Sequence, residues 1–153
     1  LSVLAGSDAP QRQAALEAFH ARFRNDPLVI DKWFTTQALS TRDDTLEAVL
    51  QLARHPDFTL SNPNRVRALV AAFWANQRAF HARDGRGYAF VADQILALDP
   101  INPQSAARLV GPLGRWRRFD ADRAASMRRA LERIVATPGL SKDVLEQAGK
   151  SLV

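Results

Sequence analysis

A chain of 153 residues with 46% hydrophobic and 24% charged side chains is long enough to bury a core of its own. It has no cysteine, which excludes a disulfide framework and a thiolate metal site. No apolar run approaches the roughly 20 residues of a membrane span. The net charge of +5 is carried mainly by arginine and admits an anionic partner, although a solvated arginine-rich surface is the better reading on composition alone. No leader pattern is visible. The first residue is Leu1 rather than Met, so the chain reads as a fragment of a longer protein.

In chain order, residues 1–8 read as a linker-like lead ending in a cap at Ser7 or Asp8. A helix follows to about Phe23, with Leu16, Phe19, His20 and Phe23 on one face. Asp26-Pro27 starts a second helix through about Leu39, carrying Ile30, Trp33, Phe34 and Gln37. A third, from about Arg42 to Arg54, carries Leu46, Val49, Leu50 and Ala53. The segment 55–61 is loop-like, with Phe58 and Leu60 expected to turn inward. Asn62-Pro63 opens a helix to about Trp74 with Val66, Leu69, Val70 and Phe73 at i, i+3, i+4 and i+7. Asp84-Gly85-Arg86-Gly87 breaks the chain, and its glycines are assigned to positive φ. A helix from Gly87 ends near Leu98. Asn102-Pro103 opens another, which Pro112 should kink rather than stop, because Leu109, Leu113 and Trp116 keep the helical phase. Asp120 or Asp122 caps a helix to about Ala136 with Met127, Leu131 and Ile134 inward. Ser141 caps the last, with Val144, Leu145 and Ala148 inward.

No segment alternates as a strand does, so the expected fold is all-α, with about eight helices in antiparallel pairs. Prolines 27, 63, 103 and 138 are spaced by 36, 40 and 35 residues. That period suggests an irregular superhelical array of the HEAT or armadillo kind, forming a single helical domain over residues 1–153.

The charges in the 62–67 stretch need a reason. Arg65 and Arg67 stand in the first turns of a helix, where the macrodipole disfavours a cation by about 0.3–1 kcal/mol. An anionic partner or a carboxylate from elsewhere in the fold would supply that reason. Arg67 and Arg108 lie five and six residues after their Asn-Pro asparagines, off the apolar stripes of repeat-equivalent helices. On successive helices of a curved array, such positions can share a concave face. No nucleophile elbow, phosphate loop or dinucleotide fingerprint is present. The histidines, 20, 55 and 81, pair with no other ligand at metal spacing, so no metal site and no cofactor is expected in this chain. The basic run Arg115-Trp116-Arg117-Arg118, followed by Arg123, Arg128, Arg129 and Arg133, could contact phosphates and stack bases. It reads better as a helix with a core tryptophan and solvated or paired arginines.

Several ungapped motifs carry a family resemblance: Asp31-Lys32-Trp33-Phe34, Phe58 through Arg67, Phe80 through Tyr88, and Asn102-Pro103-Gln104 with Ala107-Arg108-Leu109. In this order they are similar to the C-terminal part of bacterial aminopeptidase N, the gluzincin-type zinc alanyl aminopeptidases, from about Leu16 onward. The resemblance implies a helical domain that caps the active site and encloses a cavity in a larger cytoplasmic enzyme. Its zinc ligands and catalytic groups would lie in an upstream catalytic domain of the same polypeptide. It also implies that Arg67 and Arg108 face that cavity, with peptide as substrate and neither nucleic acid nor membrane as partner. Trp74 and Arg86 depart from the family pattern. Two other readings compete: a stand-alone HEAT-like protein-interaction module, and a basic nucleic-acid binder.

Overall fold

The computed structural model describes residues 1–153 and contains no strand. The fold is all-α, and with the continuous run 63–75 taken as one helix, eight helices have seven or more residues. The chain divides into two compact units, Leu1–Ala79 and Phe80–Val153. Each is described separately.

The first unit begins with α1 (Ser2–Ala5), where a linker was expected. The lead is pinned because its backbone carbonyls find side-chain donors. Ser40 Oγ and Arg12 Nε donate to the Ala5 carbonyl at 3.0 and 2.8 Å, and Arg42 donates to the Ser7 carbonyl at 2.7 Å. Ser7 does not cap the next helix. Its hydroxyl closes a local turn on the Leu4 carbonyl, and α2 (Arg12–Phe23) starts after Pro10 without a side-chain cap. Helix α3 (Pro27–Ala38) starts as expected, with Asp26 accepting from the Val29 amide. It is the central helix of the unit and packs on α1, α2 and α4 (Thr45–Leu52). Phe58 and Leu60 are half-buried.

The helix from Pro63 is not uniform. α5 (Pro63–Val66) passes into a π-turn, Arg67–Ala71, and then α6 (Ala72–Ala75). The forecast stripe Val66, Leu69, Val70 and Phe73 is buried, and Ala68 joins it. Trp74, one of the two departures from the family pattern, has a buried Nε1 with no hydrogen-bond partner. Asn76 then ties this helix to α3 by donating to the Ala38 and Ser40 carbonyls, each at 2.9 Å. The short α7 (Gln77–Phe80) leads into the second unit.

There, α8 (Arg86–Leu98), α10 (Ala121–Val135) and α11 (Lys142–Leu152) enclose the core with α9 (Pro103–Leu109). The two glycines of the breaker do different jobs. Gly85 has φ 73°, the left-handed conformation that suits glycine. Gly87 does not; a Cβ there would lie 2.5 Å from the Phe80 carbonyl oxygen, so its role is close approach of two backbones. Pro112 stops the α-helix rather than kinking it. α9 ends at Leu109, and the chain resumes as a 3-10 helix, Leu113–Arg118, because proline has no N–H to continue the ladder. Asp120 and Ser141 cap α10 and α11 as expected. Leu145 is 45% exposed, not inward.

Candidate functional site

Asn62 builds the start of α5. Its side-chain oxygen accepts from the amides of Asn64 and Arg65 at 3.1 and 3.2 Å. The two arginines that follow have separate fates. Arg65 is 7% exposed and turns into the unit, where its Nε donates to Asp31 Oδ1 at 2.6 Å. The guanidinium also donates to the Asp57 carbonyl and lies 5.2 Å from the centre of the Phe34 ring. The carboxylate sought for this charge is therefore Asp31, on α3.

Arg67 points the other way. It is exposed, and its guanidinium donates to Asn64 Oδ1 within its own first turn. It is also the first residue of the π-turn. A π-turn displaces backbone hydrogen bonds, and Thr35 Oγ1 on α3 donates to the Ala68 carbonyl at 2.8 Å. Such turns occur preferentially at functional positions.

Arg108 belongs to the second unit. Asn102 caps α9 by accepting from Ser105 at 3.1 Å, and Arg108 is exposed on the last turn. Its carbonyl, which Pro112 cannot serve, accepts from Gly111 at 3.4 Å. Neither Arg67 nor Arg108 has a carboxylate of this chain within ion-pair distance.

The arginines that follow the basic run are largely occupied internally. Arg123 pairs with Asp120 at 2.8 Å, Arg128 with Glu132 at 2.9 Å, and Arg133 with Asp93. Trp116 donates to the Ser151 carbonyl at 2.9 Å and lies near the guanidiniums of Arg117 and Arg128.

A third constellation was missed by sequence spacing. His20 on α2 meets Asp57 and His55 from the loop after α4. His20 Nε2 donates to Asp57 Oδ2 at 2.5 Å, and His55 Nδ1 accepts from the Asp57 amide at 3.1 Å. One ligand atom from each of the three lies within 4.8 Å of the others. Trp33 stands beside both imidazoles, its ring centre 4.8 Å from that of His20 and 5.3 Å from that of His55. His20 and His55 also line a cleft of about 430 Å³ with Glu17, Trp33, Glu47 and Gln51. Burial, ahead of the charges of His20 and Arg65 and against that of Asp57, lowers the pKa of His55 from its ordinary 6.5. The signal in the sequence was a histidine on the inward face of α2, one turn after Leu16. Its partners lie 35 and 37 residues away, beyond any local motif.

Comparison with known proteins adds the family. Aminopeptidase N of Caulobacter vibrioides is 54% identical over 142 residues, covering 92% of this chain and 16% of that protein. Aminopeptidase N of Escherichia coli is 42% identical over 153 residues, covering 99% of this chain and 18% of that protein. A crystal structure of Legionella pneumophila aminopeptidase A in complex with aspartic acid superposes with TM-score 0.93 at 40% identity. It matches 99% of this chain and 18% of its own. The chain thus spans less than a fifth of the length of these relatives, and it is homologous to the C-terminal part of aminopeptidase N. Over residues 1–153 it matches the family described as DUF3458_C, a domain of unknown function with ARM repeats, and it belongs to that family.

Proposed function

We propose that this chain is the non-catalytic cap and substrate-chamber domain of a zinc-dependent aminopeptidase that removes N-terminal residues from peptides. The observation that carries the reading is the match along nearly the whole chain, at 42–54% identity, to under a fifth of each aminopeptidase N. The chain itself has no His-Glu-x-x-His, and no step of hydrolysis is assigned to its residues. The zinc and the groups that do bond chemistry would belong to an upstream domain of the same polypeptide, in the cytoplasm. Within this chain, no helix is long and apolar enough to cross a membrane.

In this role Arg67 and Arg108 contact the peptide beyond the scissile bond, at its carbonyls or its C-terminal carboxylate. Their exposure and their lack of a carboxylate partner support this reading. The planar guanidinium can bind a carboxylate through two parallel, charge-assisted hydrogen bonds. Such contacts orient substrate without making or breaking bonds. In the full-length enzyme, Arg67→Ala or Arg108→Ala should lower kcat/KM on tetrapeptides by about tenfold, equivalent to about 1.4 kcal/mol, and leave a small aminoacyl amide within about twofold. Equal losses on both substrates would remove the arginines from the substrate path. The nucleic-acid reading is disfavoured by the paired state of Arg123, Arg128 and Arg133 and by the internal use of Trp116.

A further inference from the structure

We propose that His20, His55 and Asp57 form a binding site for one divalent transition-metal ion, held by an imidazole nitrogen of each histidine and a carboxylate oxygen. The proposal stands on this chain's own geometry and does not depend on the peptidase reading.

Three observations carry it. The donor set, two imidazoles and a carboxylate, is the chemistry that suits zinc, cobalt(II) and nickel(II). The three ligand atoms are already within 4.8 Å of one another, whereas ligands of a tetrahedral ion at about 2.1 Å sit about 3.4 Å apart, so side-chain adjustment alone would complete the site. The surroundings favour entry from one side: Trp33 and Phe34 stand against the imidazoles, while the cleft bordered by Glu17 and Glu47 leads to them.

The donor atoms concerned are the ones now engaged in hydrogen bonds. A metal would replace the proton between His20 Nε2 and Asp57 Oδ2, held in a 2.5 Å contact. It would take the His55 Nδ1 lone pair from the Asp57 amide. The positive charge of Arg65, which acts on His55, is offset by its bond to Asp31 at 2.6 Å. Arg65 also donates to the Asp57 carbonyl, so the loop carrying two of the three ligands is anchored from the core.

The test uses the 153-residue chain, stripped with chelator and titrated with zinc chloride and, separately, cobalt(II) chloride. Equilibrium dialysis should give one zinc per chain with Kd below about 10 µM. Cobalt(II) should broaden and shift the ring-proton NMR signals of His20 and His55 and leave His81 unchanged. His81, in the other unit, is the internal control. His20→Gln and His55→Gln should each weaken zinc binding at least about tenfold, while His81→Gln leaves it unaltered. If a variant fails to fold, the cobalt(II) pattern on the unaltered chain decides. No saturable binding up to about 100 µM zinc overturns the proposal. So does broadening that spares either His20 or His55, or unchanged affinity in a folded His20→Gln or His55→Gln chain.

Discussion

Arg65 donates to Asp31 at 2.6 Å from inside the first turn of its helix, and both side chains are largely withdrawn from water. The pair joins α5 to α3. Because the helix start disfavours the cation, Asp31 must offset both the dipole and the loss of water around the guanidinium. Removing one partner leaves the other charge buried. Arg65→Met or Asp31→Leu should therefore lower unfolding free energy by about 3 kcal/mol. The double variant Arg65→Met/Asp31→Leu should recover more than half of that loss. Urea unfolding of the four chains, read as a double-mutant cycle, measures it.

Gly87 sits where α8 meets the Phe80 carbonyl. A methyl group would lie 2.5 Å from that oxygen, and both atoms are backbone-fixed. Gly87→Ala should destabilise the second unit by about 2 kcal/mol, the range expected for forced overpacking. Gly85→Ala should also destabilise, through its positive φ and through the Ser126 side chain, whose Oγ lies 3.0 Å from where the new Cβ would sit. The φ part is separable because Gly85→Asn, which tolerates the left-handed region, should restore some of the loss at 85 while still meeting Ser126. An asparagine at 87 should not help.

The hydroxyl of Thr35 serves the Ala68 carbonyl at the π-turn. Thr35→Val keeps the shape and removes the donor, leaving a part-buried carbonyl short of a partner. The expected cost is about 1–2 kcal/mol, with Thr35→Ser nearly neutral. Amide exchange should quicken over residues 67–75 in the valine variant and not in the serine one.

Acid should weaken the fold through two histidines. Burial lowers the pKa of His55 and of His81 from 6.5; Arg123 adds to the effect at His81. His81 is hydrogen-bonded to the Tyr88 hydroxyl at 2.8 Å and stacked on Phe119 at 4.2 Å. Burial first of all holds the Tyr88 phenol up at about 12, so it stays a neutral partner throughout this range. With folded pKa values below the unfolded one, the unfolded chain takes up protons first as pH falls. The stability involved is intact above about pH 6.5 and is lost as pH drops through that value toward the folded pKa values. Urea midpoints should fall between about pH 7.5 and about pH 5, and His81→Gln should flatten part of the slope.

Local signals were legible in the sequence and distant ones were not. Asp26, Asn62, Asn102, Asp120 and Ser141 cap the helices they were expected to cap, because a cap needs only three or four neighbouring residues. The all-α class followed from periodicity for the same reason. Asp31 was not identifiable as the partner of Arg65, nor Asp57 as the partner of His20, because the folded chain brings them together from 34 and 37 residues apart. The apolar phase that continues past Pro112 points to a kink. The backbone could not follow, since the 3-10 helix beyond has a different period. At Gly87 the sequence shows a glycine's freedom but not the Phe80 carbonyl that approaches it. The π-turn has no local signature in the stripe, whose i, i+3, i+4, i+7 pattern suits an ordinary helix.

That π-turn has a bearing on how related chains are aligned. Closing hydrogen bonds five residues apart instead of four gives the run 63–75 one residue more than a straight α-helix needs to span the same distance. A relative lacking one residue between 67 and 71 would keep both ends in place and lose only the bulge. In such a relative Thr35 would have no carbonyl to serve, and threonine and bulge should disappear together. A single-residue gap at this place would mark a change in backbone winding at the foot of Arg67, and an alignment that moves it into the loop at 76 would shift Phe73 out of register with the core.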